Sequence, residues 1–314
     1  MSRIALVRAP NPSPMTLTGT NSYVIDAGAG QALVIDPGPP IERHVDALVA
    51  NAAQRGLHIS TIAVTHGHPD HAPAAASLAA RTGASIWVHP NSKVPHDRTF
   101  DLDADLRLGD LALRVIDAPG HTFEHVALYE PGERALFAGD VILGEGTVVV
   151  APPGGAMRPY QRTLHRFKDE FPDAARIYGG HGPIVEDARA KIDEYIAHRE
   201  TREAEILEAL GGRPMTIPQL VIAIYGTQRP MLWPAMARQM LAYLIALTQE
   251  GTITSRALDR PMTERENTIL NPAWESIVGA EHAPVIRAEL GAMLKLDKLY
   301  EYSLAHSASE AARL

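Results

Sequence analysis

One stretch of the sequence decides the fold: Thr61-Ile62-Ala63-Val64-Thr65-His66-Gly67-His68-Pro69-Asp70-His71. Its first five residues are typical of a buried strand, and its last six include three histidines and one aspartate. A strand followed by a loop can aim alternate side chains at one point, which a helix with this spacing cannot. Pro69 keeps His68 extended. A solvated polar loop would explain one histidine, but four potential ligands in six residues indicate a metal site.

Further along the chain, three more potential ligands each follow a predicted strand and have glycine beside them. Glycine lets the backbone approach a metal closely. Each of these segments alone is an ordinary turn, but together with the first motif they supply five histidines and two aspartates. That set is enough for two metal sites. The three additional candidates are His121, Asp140 and His181.

The composition restricts the chemistry of the site. The chain has no cysteine, so thiolate ligands and disulfides are excluded and any metal must bind imidazole and carboxylate. A net charge of −8 argues against a generally basic nucleic-acid surface, although a local basic groove stays compatible with it. The prolines at positions 10, 12 and 14 leave no room for a secretory apolar region, and no stretch is long enough to span a bilayer. We therefore expect a cytoplasmic protein.

Short strands bounded by glycine, proline or aspartate alternate with helices in the first part of the chain. Such a pattern favours an α+β fold in which helices cover a sheet sandwich. The N-terminal residues are expected to form a first strand. The helices are predicted at Arg43–Arg55 and Pro73–Thr82, and the other strands at Ser22–Asp26, Gln31–Ile35, Thr61–Thr65, Ser85–Val88, Leu111–Asp117, Val126–Tyr129, Ala135–Ala138 and Arg176–Tyr178.

The chain is predicted to divide into three parts: a catalytic domain at 1–210, a winged-helix-like module at 211–256 and a helical tail at 257–314. A long helix is expected over Glu186–Leu210, and Gly211-Gly212-Arg213-Pro214 would end it. The module would contain helices at Ile217–Tyr225 and Met231–Gln249, followed by a hairpin-like turn at residues 250–254. The tail is expected to be helical from about Ala283 to Leu304, and its apolar face is compatible with a homodimer.

From Gly19 to Pro183 the sequence resembles the metallo-β-lactamase superfamily. The resemblance rests on the metal motifs and on two upstream stretches, Gly19-Thr20-Asn21-Ser22-Tyr23 and Val34-Ile35-Asp36-Pro37-Gly38. It implies an αββα sandwich with the site at one edge of two sheets. It further implies that Asp140 bridges two metals, one held by His66, His68 and His121 and the other by Asp70, His71 and His181.

This resemblance carries expectations about chemistry. Two divalent cations about 3.5–4 Å apart can share a hydroxide, which then serves as a nucleophile at neutral pH. Zinc suits imidazole and carboxylate best, and manganese or iron would also fit. Asp70 is expected to act in catalysis by orienting the hydroxide and taking its proton. His125 is expected either to contact substrate or to orient a ligand, and a plain structural role is equally compatible with its position.

Within the superfamily, the sequence is most similar to the lactamase-β-like endoribonuclease branch. The similar stretches are Phe137–Thr147, Tyr178–Pro183 and the segment containing His198-Arg199 and Arg202-Glu203. Antibiotic-degrading members fit less well, because one class has cysteine at the position of Asp140 and another lacks the bridging aspartate. Flavodiiron proteins have glutamate where this chain has His68. The branch resemblance implies a winged-helix-like domain that helps receive single-stranded RNA.

Four functions are compatible with these residues. The leading hypothesis is a dinuclear phosphodiesterase that cleaves single-stranded RNA. The main alternative is a hydrolase of carboxyl esters, thioesters or lactones, similar to glyoxalase II or to lactonases, because the same metal pair suits an acyl substrate. A nucleic-acid-binding regulator and a mononuclear iron dioxygenase of sulfur compounds are the other two.

Overall fold

A computed structural model describes residues 3–227, 230–271 and 298–305. These residues form two compact units. One lies within Met1–Val148 and Arg162–Tyr195, and the other within Val149–Gln161 and Ile196–Leu314. The three-part division at positions 210 and 256 stays a prediction. Among the described residues, no helix is both long and apolar enough to cross a bilayer.

The first unit contains a six-stranded sheet in the order β1-β2-β3-β4-β5-β6. The first three strands pair antiparallel, and β3 to β6 pair parallel. Helix α1 (Glu42–Gln54) connects β3 to β4 and α2 (Ala75–Thr82) connects β4 to β5, the usual crossover between parallel strands. The strands are β1 Ile4–Arg8, β2 Asn21–Gly28, β3 Gln31–Ile35, β4 His58–Ala63, β5 Ser85–Val88 and β6 Arg98–Thr99.

A second, five-stranded sheet of the same unit has the order β11-β10-β9-β8-β7. Its strands are antiparallel except for β10 and β11, which pair parallel. Helix α3 (Met157–Glu170) lies on the connection between these two strands, and α4 (Ala188–Gly212) follows β11. The strands are β7 Asp105–Leu108, β8 Leu111–Asp117, β9 Val126–Glu130, β10 Ala135–Gly139 and β11 Arg176–Gly179.

The six-stranded sheet is buried on both faces along its central strands. Along β2, Val24 packs with residues of α1 and α2, whereas its neighbours Tyr23 and Ile25 pack with apolar side chains of the five-stranded sheet. Because successive side chains of a strand point to opposite faces, this alternation places one core between sheet and helices and another between the two sheets. The expected α+β sandwich is confirmed.

The second unit contains a small antiparallel sheet in the order β12-β14-β13. Helix α5 begins after Thr216, whose hydroxyl and backbone form a capping box with Gln219. The elements are β12 Met215–Thr216, α5 Ile217–Tyr225, a 3-10 turn at Pro230–Leu232, α6 Trp233–Gln249, β13 Ile253–Ala257, α7 Glu264–Leu270 and β14 Tyr300–Leu304.

Two expectations for this unit need correction. The residues after α6 do not form a local hairpin, because Ile253–Ala257 pairs with the distant strand Tyr300–Leu304. The tail helix predicted from about Ala283 to Leu304 is wrong at its end, since Tyr300–Leu304 is a strand held between β12 and β13; the rest of that prediction lies mostly outside the described residues. Pairing on both sides outweighs the local helical pattern.

Candidate metal centre

The structure brings all seven predicted ligands together as two groups. Within each group, the potential ligand atoms lie within 4.8 Å of one another. The groups divide as the family resemblance implies. The first cluster is His66, His68, His121 and Asp140, and the second cluster is Asp70, His71 and His181.

Each ligand follows the end of a strand, and the two sheets meet where these strands end. The backbone N–H of Val126 donates to the carbonyl of Thr65 at 2.8 Å, which joins the two sheets beside the His66 loop. The N–H of Asn21 donates to the carbonyl of Gly180 at 2.7 Å, which joins them beside His181. The loops that carry the ligands therefore lie at one edge of the sandwich.

In the first cluster, three imidazole nitrogens surround one point. Nδ1 of His68 lies 3.0 Å from Nε2 of His66 and 3.0 Å from Nε2 of His121. Tetrahedral zinc with Zn–N bonds of about 2.0–2.1 Å places its ligand atoms roughly 3.3 Å apart. The two distances from His68 are therefore close to those between ligands of a tetrahedral cation.

In the second cluster, Oδ2 of Asp70 lies 3.2 Å from Nε2 of His71 and 3.1 Å from Nε2 of His181. Asp140 faces both clusters: its Oδ2 lies 3.4 Å from Nε2 of His181 and 3.7 Å from Nε2 of His121. This position fits the bridging role that the resemblance implies for Asp140.

The buried polar atoms of the site also fit a cation. Nε2 of His71 and Oδ1 of Asp140 are buried and form no hydrogen bond, although Nε2 of His71 lies 3.2 Å from Oδ2 of Asp70 and 3.5 Å from Oδ1 of Asp140. Buried polar atoms without a partner are rare and usually indicate a missing ligand. Imidazole nitrogens and carboxylate oxygens would together hold Zn²⁺, and they also suit manganese or iron.

The two clusters differ in the charge of their imidazoles. Burial, together with nearby imidazoles, holds the pKa of His66 well below its usual range, and burial also lowers that of His68. Burial acts in the same direction on His71, but the carboxylates of Asp70, Asp140 and Asp36 outweigh it and raise its pKa well above the usual value. Carboxylates likewise overcome burial and raise the pKa of His181 to about 10. Without metal, His71 and His181 therefore form ion pairs with carboxylates, whereas His66 and His68 are neutral.

Asp36 is a functional residue that the sequence analysis did not select. Its Oδ2 accepts hydrogen bonds from Nδ1 of His71 and from the hydroxyl of Thr65, each at 2.8 Å. The Thr65 hydroxyl also lies 2.9 Å from Nδ1 of His66. Asp36 thus orients one imidazole of each cluster, as carboxylates commonly do beside metal-binding histidines. In the sequence it lies in Asp-Pro-Gly-Pro, a pattern that predicts only a turn, but its position directly after a buried strand was an available signal.

Residues at the start of β2 also support the metal ligands through hydrogen bonds. The hydroxyl of Thr20 donates to Oδ2 of Asp70 at 3.0 Å, and Nδ1 of His181 lies 3.3 Å from the carbonyl oxygen of Gly19. The side-chain amide of Asn21 donates to the carbonyls of Gly179 and Gly182, at 3.0 and 2.9 Å. These contacts fix the loop that carries His181.

His125 lies behind the first cluster with no exposed surface. Its ring stacks on that of His66, with ring centres 4.9 Å apart, and its Nε2 accepts the backbone N–H of Asp140 at 3.2 Å. Burial keeps its pKa well below the usual value, so the ring is neutral and can accept this bond. The position of His125 is compatible with orienting a ligand and equally with a plain structural role, and its role stays a prediction.

Gly180 shows why glycine lies beside the ligands. A Cβ atom at this position would lie 2.2 Å from Oδ1 of Asp140 and 2.6 Å from Cε1 of His71. Any side chain would therefore displace the carboxylate that faces both clusters.

Comparison with known proteins supports the same family. The family described as Metallo-beta-lactamase superfamily matches residues 15–181. A beta-lactamase-like protein 2 homolog of Caenorhabditis elegans is 36% identical over 208 residues, covering 64% of this chain and 68% of that protein. An atrochrysone carboxyl ACP thioesterase of Paecilomyces divaricatus is 29% identical over 265 residues, covering 81% of this chain and 82% of that protein.

A solved structure shows the same fold. The crystal structure of a metallo-beta-lactamase family protein from Thermus thermophilus aligns with a TM-score of 0.68 and 23% identity, over 81% of this chain and 96% of that one. The family match covers more than half of the chain and includes the positions of all seven clustered side chains. The chain therefore belongs to the metallo-beta-lactamase superfamily, and it is a hydrolase of that superfamily.

Proposed function

We propose that this hydrolase uses two divalent cations, in the first instance zinc, to cleave a phosphodiester bond of single-stranded RNA. The observation that carries the two-cation part is the position of Asp140, whose carboxylate faces histidines of both clusters at 3.4 to 3.7 Å. Three imidazoles on one side and two imidazoles with Asp70 on the other complete two separate ligand sets. When bound, such a cation pair lowers the pKa of water towards about 7 and stabilises negative charge on attacking and leaving oxygens.

The protein side chains supply position and a proton acceptor. Oδ2 of Asp70 contacts His71, His181 and the Thr20 hydroxyl, so the carboxylate is held in one orientation. Its other oxygen, Oδ1, is then the atom expected to orient the attacking water and accept its proton. Asp36 and His125 hold ligands from behind and are expected to act only through them.

Three features support a phosphodiester substrate. An alkoxide leaving group, as in a phosphodiester or a carboxyl ester, benefits from a second cation, whereas the thiolate of a thioester leaves readily without one. The stretch Phe137–Thr147 is similar to the endoribonuclease branch of the superfamily. In the second unit, two helices separate the first two strands of a three-stranded antiparallel sheet, an arrangement that supports the winged-helix-like module proposed for RNA.

A second candidate is hydrolysis of a thioester or another carboxyl ester. It is favoured by the similarity to the Paecilomyces divaricatus protein, whose name describes a thioesterase and which matches over 81% of this chain. The net charge of −8 also favours a substrate that is less anionic than RNA.

One panel of substrates distinguishes the two candidate functions. Zinc-loaded protein is assayed on a single-stranded RNA oligomer, bis-p-nitrophenyl phosphate, S-lactoylglutathione and a simple lactone. We expect turnover of the two phosphodiesters, loss of that turnover in Asp140→Ala, and no loss in His165→Ala, which alters an exposed histidine outside both clusters. Turnover of the acyl substrates alone would refute the RNA proposal and support the second candidate. A metal content of one iron per chain would refute the dinuclear proposal.

A further inference from the structure

Asp117, the last residue of β8, lies four positions before the ligand His121, and two hydrogen bonds hold its backbone. Its backbone N–H donates to Oδ1 of Asp103 at 3.0 Å, and its carbonyl accepts a hydrogen bond from Nη1 of Arg166 at 2.9 Å. Its Oδ1 lies 3.4 Å from Nε2 of His89, a buried histidine whose Nδ1 accepts a backbone N–H at 3.0 Å. The chain that enters the His121 loop is therefore anchored immediately before the ligand.

Arg166 connects these contacts to α3. Its guanidinium reaches the carbonyl of Asp117 through Nη1 and Oδ1 of Asp103 through Nη2, the latter at 2.7 Å. One turn earlier in the same helix, the hydroxyl of Thr163 donates to the carbonyl of Pro119 at 2.8 Å. Two carbonyls of the short run before His121 are thus bonded to one helix, and the planar fork of arginine fixes the distance between helix and loop.

The ligands of the second cluster have different supports. Asp70 is held by Thr20, His71 by Asp36, and His181 by the carbonyl of Gly19. These contacts come from the beginning of β2 and the end of β3, and none of them involves α3 or the loop before His121. The shortest covalent route from the Arg166 contacts to a ligand is the run from Asp117 to His121, and His121 belongs to the first cluster.

We propose that Arg166, together with Asp103 and Thr163, positions His121 and thereby sets the metal affinity of the first cluster, with little effect on the second. The inference rests on the two-cation function proposed above. It concerns a positioning role, because Arg166 contacts the backbone that carries the ligand and not the ligand ring. A misplaced ligand typically weakens metal binding by about 10- to 100-fold.

The test is a zinc titration of metal-free protein against a chromophoric chelator, which reports each affinity without any hydrolysis assay. Arg166→Lys keeps the charge but loses the fork, and Asp103→Asn weakens the pairing while keeping an acceptor for the Asp117 N–H. For both variants we expect one of the two zinc ions to bind about 10- to 100-fold more weakly, with the other within twofold of the parent. Thermal unfolding of the metal-free variants checks that they fold.

Two controls distinguish a specific effect on the position of His121 from a general loss of structure. Glu170→Gln removes the charge of the other carboxylate bonded to Arg166, to which Nε donates at 2.7 Å and Nη2 at 3.1 Å, but leaves the bonds to Asp117 and Asp103 intact. It should bind both zinc ions as the parent does. In a His121→Ala background, the effect of Arg166→Lys should disappear, because the ligand through which it acts is gone.

The outcomes are distinct. The inference is overturned if Arg166→Lys and Asp103→Asn change neither affinity, if both affinities fall together, if Glu170→Gln causes the same loss, or if the effect persists in His121→Ala. A parent protein that binds a single zinc ion overturns the proposed two-cation function and this inference with it. A parent that binds two zinc ions with no selective loss overturns this inference alone.

Discussion

Adding a single methyl group at Gly180 should disable the metal centre. In Gly180→Ala the new Cβ would lie 2.2 Å from Oδ1 of Asp140 and 2.6 Å from Cε1 of His71. A carbon and an oxygen that are not bonded stay roughly 3.3 Å apart, so the Asp140 carboxylate or the Gly180 backbone must move by about 1 Å. The Gly180 backbone is also tied to Gly139 and Asn21 by hydrogen bonds of 2.8 and 2.7 Å, which oppose its movement.

A shift of this size at reacting groups costs about 100-fold in rate, or about 2.7 kcal/mol of transition-state stabilisation. We expect kcat/KM of Gly180→Ala to fall by at least that factor, and its affinity for zinc to fall about 10- to 100-fold. The assays are turnover of bis-p-nitrophenyl phosphate, with S-lactoylglutathione as the acyl alternative, and zinc titration against a chelator.

Gly212→Ala is the matched control. Gly212 ends α4, and a Cβ there would meet no atom within 4 Å, so both activity and zinc binding should stay at the level of the parent. If Gly180→Ala binds two zinc ions with the affinity of the parent and keeps full turnover, the close approach of Gly180 to Asp140 has no functional importance and the reasoning is refuted.

Asp140→Ala should lose the carboxylate shared by both clusters, lower the zinc content of one or both sites, and reduce turnover by orders of magnitude; full zinc content with full activity would contradict the two-cation assignment. Asp36→Asn should weaken zinc binding about 10- to 100-fold, because Oδ2 of Asp36 orients the ring of His71 directly. Competition with a chelator measures the affinity, and a thermal unfolding curve like that of the parent shows that the variant is folded. Zinc entering the second cluster at pH 7.5 should release more than one proton, since carboxylates raise the pKa of both His71 and His181, and a pH indicator in weak buffer detects the release; zinc uptake without proton release would contradict the charge difference between the clusters. Burial lowers the pKa of His44 to about 4, so as the pH falls below 6.5 the unfolded chain takes up a proton at this histidine before the folded protein does. Between pH 6.5 and pH 4, the free energy of unfolding of the metal-free parent should therefore fall by up to about 3 kcal/mol more than that of His44→Gln. Urea unfolding at several pH values measures this, and equal pH profiles for the two proteins would contradict it.

The ligands were predictable because their chemistry is local. In each case, a buried strand ends in a glycine-rich loop that carries a histidine or an aspartate, and this pattern is complete within about ten residues of sequence. The strands and helices that carry the site also followed from local patterns, although β4 occupies His58–Ala63 and not Thr61–Thr65 as predicted. The loop after β4 is therefore longer than expected, which gives Thr65 the freedom to bond Asp36.

The residues that support the ligands were not predictable in this way. Asp36 acquires its role because β3 pairs parallel with β4, which brings its carboxylate beside Thr65 and His71. Thr20 acquires its role because the start of β2 meets the His181 loop from the other sheet. Such contacts depend on tertiary pairing between distant segments, which the sequence around each residue does not encode.

Several other elements were missed, and α3 and β14 show the physical reasons. Helix α3 follows Pro-Pro-Gly-Gly-Ala, so no serine, threonine, aspartate or asparagine stands directly before its first residue to mark its start. Strand β14 contains tyrosines at alternate positions, of which only Tyr302 is buried, and its local pattern gives no indication of the partners on either side.

The bond network around Asn21 has a consequence for the order of assembly. This side chain joins a strand near the start of the chain to the carbonyls on either side of His181, some of the most separated positions in the first unit. The second cluster can therefore close only after nearly all of that unit has been synthesised, and the high sequence separation favours slow folding. During translation, the His66–His71 loop should emerge long before His181 and wait with an incomplete ligand set, so metal capture at the second cluster should be among the last events of maturation.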